Sequence, residues 1–289
     1  MNCPWCGCTE NTSYLKVKDY FLTREEFEIL ECPQCHLLYT SPRPSLPESQ
    51  RYYQSNNYFS HQENKSGFIP RVYEFVKSFN IHSKVRMATK GMTPGSALDI
   101  GCGVGDFLFS LQRRGWSVNG IEPSSQARNI ASKRLGFTPL DPTESPALPD
   151  ASFDLVTLWH VLEHVDDLAL QISELQRLLK PGGRLIIALP NFTSFDAQFY
   201  KEHWAAWDVP RHLNHFSPEF MQSMFANLSF QYIDNHKLIW DAFYISYLSE
   251  SFLNHSLPLL RGFFVGLRSN TKALRSGRYS SLVYRFQKV

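Results

Sequence analysis

A short glycine-rich segment of this chain constrains its fold more than any other feature. The residues from Ala97 to Asp106 read ALDIGCGVGD, in which an apolar run leads into three glycines at every second position. Glycine adopts backbone conformations that are closed to other residues and lets a ligand approach the main chain closely. The following stretch, Asp106 to Arg114, ends at Gly115 and has the pattern of a helix. The segment therefore predicts a buried strand, a tight turn and a helix N-terminus.

Apolar strands and amphipathic helices alternate along the chain after this turn. The pattern predicts strands at Ala97–Ile100, Ser117–Ile121, Phe137–Leu140, Phe153–Trp159 and Arg184–Leu189, with a further one from Phe230 to Leu238. Strands that alternate with helices in this way form a parallel sheet with helices on both faces. The sequence therefore predicts an α/β fold.

Two Cys-x-x-Cys pairs stand near the N-terminus, at Cys3, Cys6, Cys32 and Cys35. The first residues lack the basic start and apolar stretch of a secretory signal, so we expect a cytoplasmic protein whose thiols stay reduced. In that compartment two such pairs favour the closed, tetrahedral coordination of a structural zinc ion. Residues 1–45 therefore predict a zinc ribbon. Cys8 and His36 are either alternate ligands or, as we favour, unused neighbours.

Clusters of proline and glycine divide the remaining chain. We predict a helical linker or cap at 46–94, a ligand-binding domain at 95–240 and an aromatic, basic extension at 241–289. The net charge of +2 is too small to argue for a nucleic-acid partner by itself. No apolar stretch is long enough for an ordinary membrane-spanning helix.

An acidic residue follows the second predicted strand. Glu122 lies 17 residues after Gly105, at the strand end where an adenosyl or dinucleotide ligand sits in such folds. Helix N–H groups point outward at the same edge. A carboxylate at this position can accept hydrogen bonds from both ribose hydroxyls, so the sequence predicts a nucleoside-bearing ligand.

The glycine segment LDIGCGVGDF resembles the first motif of the class I S-adenosylmethionine-dependent methyltransferases. The similarity continues through GIEPS at 120–124, LPDASFD at 148–154, LWHVLEHV at 158–165 and KPGG at 180–183. It covers roughly residues 95 to 195. The resemblance implies a Rossmann-like, doubly wound, mostly parallel sheet of seven strands, preceded here by the zinc ribbon of a bacterial subset. It also implies S-adenosylmethionine as the methyl donor.

The resemblance also implies a set of cofactor contacts. They are Asp99, Gly101, Cys102, Gly103, Gly105, Glu122, Pro123, Asp141, Trp159 and His160. Within this set, Asp99 and the first glycines would hold the methionine and ribose portions, Glu122 the ribose hydroxyls and Asp141 the adenine amino group. Trp159 and His160 would lie beside the methionine or the sulfonium. For the Cys102 thiol we favour a packing role over a nucleophilic one, because no base is placed for it.

The connection from 190 to 216 is long, aromatic and rich in histidine, which is typical of a functional loop. We predict four catalytic residues: His160, His212, Arg211 and Glu163. Arg211 can pair with an anionic group of the acceptor, and a histidine can take its proton. The alternatives are that Arg211 forms a structural ion pair with Asp208, and that Glu163 and His164 belong to a hydrogen-bond network.

Three functional hypotheses follow from this pattern. The first is methylation of an oxygen, nitrogen or carbon atom of a small-molecule acceptor, such as a sugar or another cell-surface or natural-product intermediate. The second is an RNA or tRNA methyltransferase whose ribbon binds the substrate, and the third is a non-catalytic binding module. Residues 272–289 contain five basic residues and no acid, which indicates either weak contact with an anionic membrane or a solvated face.

Overall fold

The computed structural model describes residues 1–53, 80–226 and 228–289. Most of the predicted helical segment at 46–94 therefore lies outside the described residues. Within it, Leu46–Ser49 forms the short helix α1, and residues 80–88 are helical.

The strands and helices are named here in chain order. The strands are β1 Thr12–Lys18, β2 Glu26–Glu31, β3 Leu38–Ser41, β4 Ser96–Ile100, β5 Ser117–Ile121, β6 Phe153–Trp159, β7 Leu179–Pro190, β8 Asn214–His215, β9 Phe230–Lys237 and β10 Ser281–Lys288. After α1, the labelled helices are α2 Asp106–Gln112, α3 Ser125–Leu135, α4 Leu168–Leu178, α5 Phe195–Tyr200, α6 Pro218–Ala226, α7 Asp241–Phe252 and α8 Pro258–Ser276. Short 3₁₀ turns occur at Gln50–Tyr52, Pro142–Ala147, Leu162–His164, Lys201–His203 and Ala205–Trp207.

The central sheet has the strand order β5-β4-β6-β7-β10-β9. The first four strands are parallel, and β10 runs antiparallel to both of its neighbours. The prediction of a doubly wound, mostly parallel α/β sheet is confirmed, with six strands among the described residues and not seven. The predicted strand at 137–140 is reduced to one bridge between Leu140 and Ile121. Pro139 and Pro142 flank that bridge and lack the N–H groups that would extend it.

The central strands bury both of their faces. In β4, Ala97 belongs to one core cluster and Leu98 to the other, because successive side chains of a strand point to opposite faces. The helix that follows β5 begins and ends as its sequence predicts. The Ser124 hydroxyl accepts a hydrogen bond from the Ala127 N–H, and Gly136 ends the helix with φ +79°.

Strand β10, the last in the chain, lies within the central sheet between β7 and β9. It comes from the segment that the sequence analysis assigned to a C-terminal extension. In β10, Arg285 forms an ion pair with Asp234 of β9, and the ammonium group of Lys288 donates to the main-chain carbonyls of Gln176 and Leu179. Arg278 pairs with the carboxylate of Glu219 at 2.6 Å. Three of the five basic groups for which the sequence left open a membrane contact or a solvated face are therefore bonded within the fold.

The N-terminal region forms a second, antiparallel sheet in the order β1-β2-β3-β8. Its fourth strand, β8, belongs to the long connection after β7, so the ribbon is paired with the loop. The Thr40 N–H donates to the Leu213 carbonyl at 3.0 Å and extends this pairing by one bond. Among the residues described here, no helix has both the length and the apolar run needed to cross a membrane.

Candidate active site

The glycine turn between β4 and α2 has left-handed backbone at all three glycines. The φ angles are +71° at Gly101, +55° at Gly103 and +79° at Gly105. A Cβ at Gly101 would also lie 2.4 Å from Cγ2 of Val161, whereas one at Gly103 would meet nothing within 4 Å. Gly101 is therefore required by packing as well as by backbone geometry, and Gly103 faces open space.

The Glu122 carboxylate is bonded to this turn. It is buried, and its two oxygens accept hydrogen bonds from the Gly103 N–H and the Ser124 N–H, each at 2.8 Å. The predicted acidic residue thus lies beside the open space at Gly103. The contact with ribose hydroxyls stays a prediction.

Asp99 lies beneath the turn at the end of β4. Its carboxylate accepts a hydrogen bond from the Thr157 hydroxyl at 2.6 Å. Burial raises the pKa of Asp99 to about 7, although the Thr157 bond and the charge of Lys84 act in the opposite direction. The sequence analysis missed Lys84, whose ammonium nitrogen lies 4.6 Å from the Trp159 ring centroid. Its position in a helix far from the motifs gives no signal for that contact.

Three predicted cofactor contacts have protein partners of their own. The Cys102 thiol packs beneath Gly120, and burial raises its pKa, which favours the packing role that we assigned to it. The Asp141 carboxylate accepts from the Thr143 N–H at 3.1 Å and pairs with Arg128 at 3.0 Å. Its contact with adenine stays a prediction, as does that of Pro123, whose carbonyl accepts from Arg128.

His160 follows β6 in a strained conformation between two carboxylates. Its φ is +58°, its Nε2 lies 3.3 Å from Asp241 and its Nδ1 lies 3.4 Å from Glu163. Burial alone would lower the pKa of His160, but the two carboxylates outweigh it and raise the pKa to about 9. Sequence reasoning missed Asp241 because it begins α7, far along the chain from His160.

His164, His212 and Glu163 converge beside His160. One side-chain N or O atom from each of the three lies within 4.8 Å of the others. The Nδ1 atom of His164 bonds the Arg211 carbonyl at 2.9 Å, and that of His212 bonds the Ala206 carbonyl at 2.8 Å. These bonds fix both rings against the main chain of the long loop. His164 thus has a hydrogen-bond partner in the loop, whereas both oxygens of the buried Glu163 carboxylate lack one among the described residues, so the network that we weighed for Glu163 and His164 stays a prediction.

Arg211 lies in a buried ion triad. Its guanidinium binds the carboxylate of Asp19 in the ribbon at 2.8 Å and that of Asp208 at 2.7 Å. It also donates to the Tyr52 carbonyl at 3.1 Å. This geometry favours the structural ion pair that we held as the alternative. A contact between Arg211 and an anionic acceptor stays a prediction.

A cavity of about 570 Å³ lies over these polar groups. Its polar lining consists of His160, Glu163, Asp208, Arg211, His212, Asp241 and Ser281. Its apolar part comes from Phe21 of the ribbon and from residues of α7, which are Tyr244, Ile245, Leu248 and Phe252. The cavity therefore has an apolar wall and a polar wall, and the ribbon contributes directly to it.

The four predicted zinc ligands lie together at one end of the ribbon. The Sγ atoms of Cys3 and Cys35 are 3.5 Å apart, and those of Cys6 and Cys32 are 3.4 Å apart. Sulfur atoms around a tetrahedral zinc ion lie about 3.8 Å apart, so the cluster fits that ion. Each pair ends in a left-handed residue, Gly7 at φ +73° and His36 at φ +62°, that directs the chain around the cluster.

Comparison with known proteins identifies the family to which this fold belongs. A family described as a methyltransferase domain matches residues 72–235. A ubiquinone biosynthesis O-methyltransferase of Alkalilimnicola ehrlichii is 32% identical over 108 residues, which are 35% of this chain and 44% of the relative. One from Brucella ovis is 30% identical over 149 residues, which are 47% of this chain and 60% of the relative. The chain thus spans about half the length of these curated relatives.

Two solved structures share the fold. An S-adenosylmethionine-dependent methyltransferase from Thermotoga maritima is 24% identical, with a TM-score of 0.50, covering 75% of this chain and 96% of its own. A geranyl diphosphate methyltransferase in complex with S-adenosylmethionine is 16% identical, with a TM-score of 0.51, covering 79% and 93%. Because the family matches more than half of its length, the chain belongs to the methyltransferase domain family, among the class I S-adenosylmethionine-dependent methyltransferases.

Proposed function

We propose that this protein transfers a methyl group from S-adenosylmethionine to a hydroxyl of a small-molecule acceptor. The cavity carries the proposal, because it joins His160 and two carboxylates at one wall to an apolar wall formed by α7 and Phe21. Such a cavity suits an acceptor with an apolar body and a reacting hydroxyl. Within that class we propose a sugar or another cell-surface or natural-product intermediate.

The glycine turn fits the donor. The space at Gly103 is open, the Glu122 carboxylate borders it, and the buried indole N–H of nearby Trp159 has no hydrogen-bond partner among the described residues. We assign the ribose and methionine portions of the cofactor to these groups and to Asp99. When bound, S-adenosylmethionine supplies a methyl group on a sulfonium for in-line displacement.

His160 is the base that we assign to the acceptor hydroxyl. A hydroxyl that entered between His160 and Asp241 would give its proton to Nε2 of the neutral imidazole, while the methyl group would pass from the sulfonium sulfur to the oxygen and leave S-adenosylhomocysteine as a neutral thioether. The carboxylates of Asp241 and Glu163 then stabilise the imidazolium. His212 lines the same cavity and is the second candidate for this role.

The zinc ribbon forms part of the acceptor site in this proposal. Asp19 and Thr40 of the ribbon bond Arg211 and the main chain of the long loop, and Phe21 lines the cavity. We therefore propose that the ribbon holds a structural zinc ion and forms one side of the acceptor cavity. The RNA methyltransferase hypothesis expects instead that the ribbon binds RNA with strong salt dependence.

Release of S-adenosylhomocysteine from S-adenosylmethionine tests the proposal, with nucleotide sugars, phenols and prenylated phenols as acceptors. We expect acceptor-dependent release that His160→Gln lowers by about 100-fold, the lower end of general-base catalysis. Calorimetry should show S-adenosylmethionine binding in both proteins. Binding without release for every acceptor would favour the non-catalytic module, and release only with tRNA would favour the RNA hypothesis.

A further inference from the structure

Helices α7 and α8 pack through unusually small residues. The buried face of α8 consists of Gly262, Gly266, Ser269 and Ala273. A Cβ added at Gly262 would lie 2.6 Å from the main-chain nitrogen of Tyr247 in α7. The two backbones therefore approach closely, and the inward face of α8 has no room for large side chains.

The large apolar residues around α8 lie on the outside of the molecule. Leu257, Leu259, Leu260, Phe263, Phe264 and Leu267 are each between 46% and 72% exposed. Those from Leu260 to Leu267 follow the i, i+3, i+4, i+7 spacing of a single helical stripe. Trp240, which precedes α7, is also half exposed. Soluble monomers rarely expose a contiguous apolar surface of this kind.

The charges around this apolar stripe are of one sign. Helix α8 contains no acidic residue, and its basic residues Arg261, Arg268, Lys272 and Arg275 form a second stripe at i, i+7, i+11 and i+14. The acidic groups of α7 are used internally, since Asp241 contacts His160 and Glu250 pairs with Arg261. The three remaining basic residues of α8 therefore have no ion-pair partner among the described residues, and two of them, Arg268 and Lys272, lie over the ring of Phe195 in α5.

Helix α7 separates this outer surface from the acceptor cavity. Its residues Ile245, Leu248 and Phe252 line the cavity, while α8 packs against another side of the same helix. The exposed surface and the cavity are thus one helix apart.

We propose that α7 and α8 dock this protein on an anionic phospholipid bilayer. The apolar stripe enters the boundary between headgroups and acyl chains, and the basic stripe contacts the headgroup phosphates. Small residues toward the partner helix and large apolar residues outward are the arrangement of helices that face lipid. A second copy of the chain is a poorer partner, because it would bring two basic stripes together.

The docked protein lies on the bilayer, with its cavity next to acceptors that partition into the membrane. This inference goes beyond the proposed function and does not depend on it, since docking is measured without S-adenosylmethionine or an acceptor. The surface shares only Lys272 and Arg275 with the basic residues of the C-terminal segment 272–289 that the sequence indicated, because Arg278, Arg285 and Lys288 of that segment are bonded within the fold.

Co-sedimentation of the full chain with phospholipid vesicles tests the proposal. We expect binding to vesicles that contain phosphatidylglycerol, weaker binding in high salt, and little binding to pure phosphatidylcholine. Replacing Leu260, Phe263 and Phe264 together by serine should lower the partition coefficient by at least about tenfold. Lys272→Gln with Arg275→Gln should lower it by about tenfold on anionic vesicles alone.

Matched substitutions elsewhere on the surface serve as controls. Leu170→Ser removes an exposed apolar residue of α4, and Arg113→Gln with Lys133→Gln removes two exposed charges, so neither should change binding. Unchanged binding in the α8 variants would overturn the proposal. So would chromatography that finds a dimer in the original chain, a monomer in the serine variant and no vesicle binding by either.

Discussion

His160 combines backbone strain with an unusual electrostatic environment. Its left-handed φ of +58° places the ring between Asp241 and Glu163, two acids that the chain brings together from different elements. Strained conformations of this kind persist where the surrounding structure holds them, and they cluster at functional sites. With a pKa of about 9, the ring is a cation near neutral pH, and the neutral form that accepts a proton increases as the pH rises.

The imidazole titration of His160 can be measured by NMR in the free protein. We expect a midpoint near pH 9. Asp241→Asn removes one of the anions that favour the imidazolium, so the midpoint should move to lower pH. Glu10→Gln changes an exposed acid far from the ring and should leave it unchanged. If the His160 midpoint is the same in the original chain and in Asp241→Asn, the pairing of His160 with Asp241 is contradicted.

Substitution of Arg211 distinguishes two roles for this buried cation, which are stabilisation of the fold and binding of the acceptor. Its partners Asp19 and Asp208 lose their countercharge in Arg211→Met, and an uncompensated buried charge costs about 3–5 kcal/mol. Urea unfolding should show that loss, with Arg113→Met as the exposed control. If the free energy of unfolding stays unchanged while acceptor turnover falls, Arg211 binds the acceptor instead.

Low pH should reduce the stability that the ion triad of Arg211, Asp19 and Asp208 provides. Burial alone would raise the pKa of Asp19, but the bonds from Arg211 outweigh it and lower the pKa. The stabilisation by Asp19 is therefore complete above its unfolded-state pKa and is lost as the pH falls through the folded one. The acid unfolding midpoint of Arg211→Met should lie at higher pH than that of the original chain. Circular dichroism measures it, and identical midpoints would exclude this role.

At the scale of elements, the turn between β4 and α2 offers a matched pair of substitutions. Gly101→Ala combines an unfavourable φ with a clash against Val161, whereas Gly103→Ala meets only the φ cost. We expect Gly101→Ala to lower both stability and S-adenosylmethionine affinity. Gly103→Ala should cost about 1 kcal/mol of stability. It should lower the affinity for S-adenosylmethionine more strongly than Gly101→Ala does, because its methyl group enters the open space.

Thermal unfolding and calorimetry separate the two effects for this pair. Gly136→Ala carries the same left-handed strain at the end of α3, so it controls for backbone cost alone. If Gly103→Ala binds S-adenosylmethionine as tightly as Gly136→Ala, the open space at the turn is not the donor site.

The elements that could be predicted are those whose pattern is local. Strands β5 and β6 have the predicted bounds because residues typical of turns or helix starts flank each of them in the sequence. The strand predicted at 137–140 failed because two prolines limit its pairing to Leu140. Strand β10 was missed because its alternating polar and apolar residues were interpreted as a basic tail, and its partners β7 and β9 are distant in sequence.

Over the whole molecule, contacts distant in sequence join the ribbon to the methyltransferase domain. Arg43 donates to Asn214 at 2.5 Å and to the Leu213 carbonyl at 3.1 Å, and Asp19 bonds Arg211. Sequence reasoning identified the cysteine pairs and the histidine-rich loop separately. It could not show that they meet, because no periodicity or spacing links residues 19 and 211.

Disruption of the four-cysteine cluster should therefore reach the cavity that Phe21 lines. We expect Cys32→Ser to remove one zinc ion per chain, to lower the melting temperature and to increase hydrogen exchange at Asn214 and His215 of β8. Affinity for S-adenosylmethionine should change by less than about threefold, because the glycine turn is bonded within its own domain.

Metal analysis, hydrogen exchange and calorimetry measure these effects. Cys8→Ser is the matched control and should retain the metal. Unchanged exchange at β8 after zinc loss would mean that the ribbon and the loop are energetically independent.

The pairing of β3 with β8 makes the ribbon and the long loop one structural unit. A loop grafted from a relative that lacks the ribbon would remove the Arg211 partner of Asp19 and the Asn214 partner of Arg43, and a ribbon removed alone would expose the side of the cavity that Phe21 covers. If the cavity takes the acceptor as we propose, redesign of acceptor choice requires both segments to be exchanged together, whereas the glycine turn can be kept as it is.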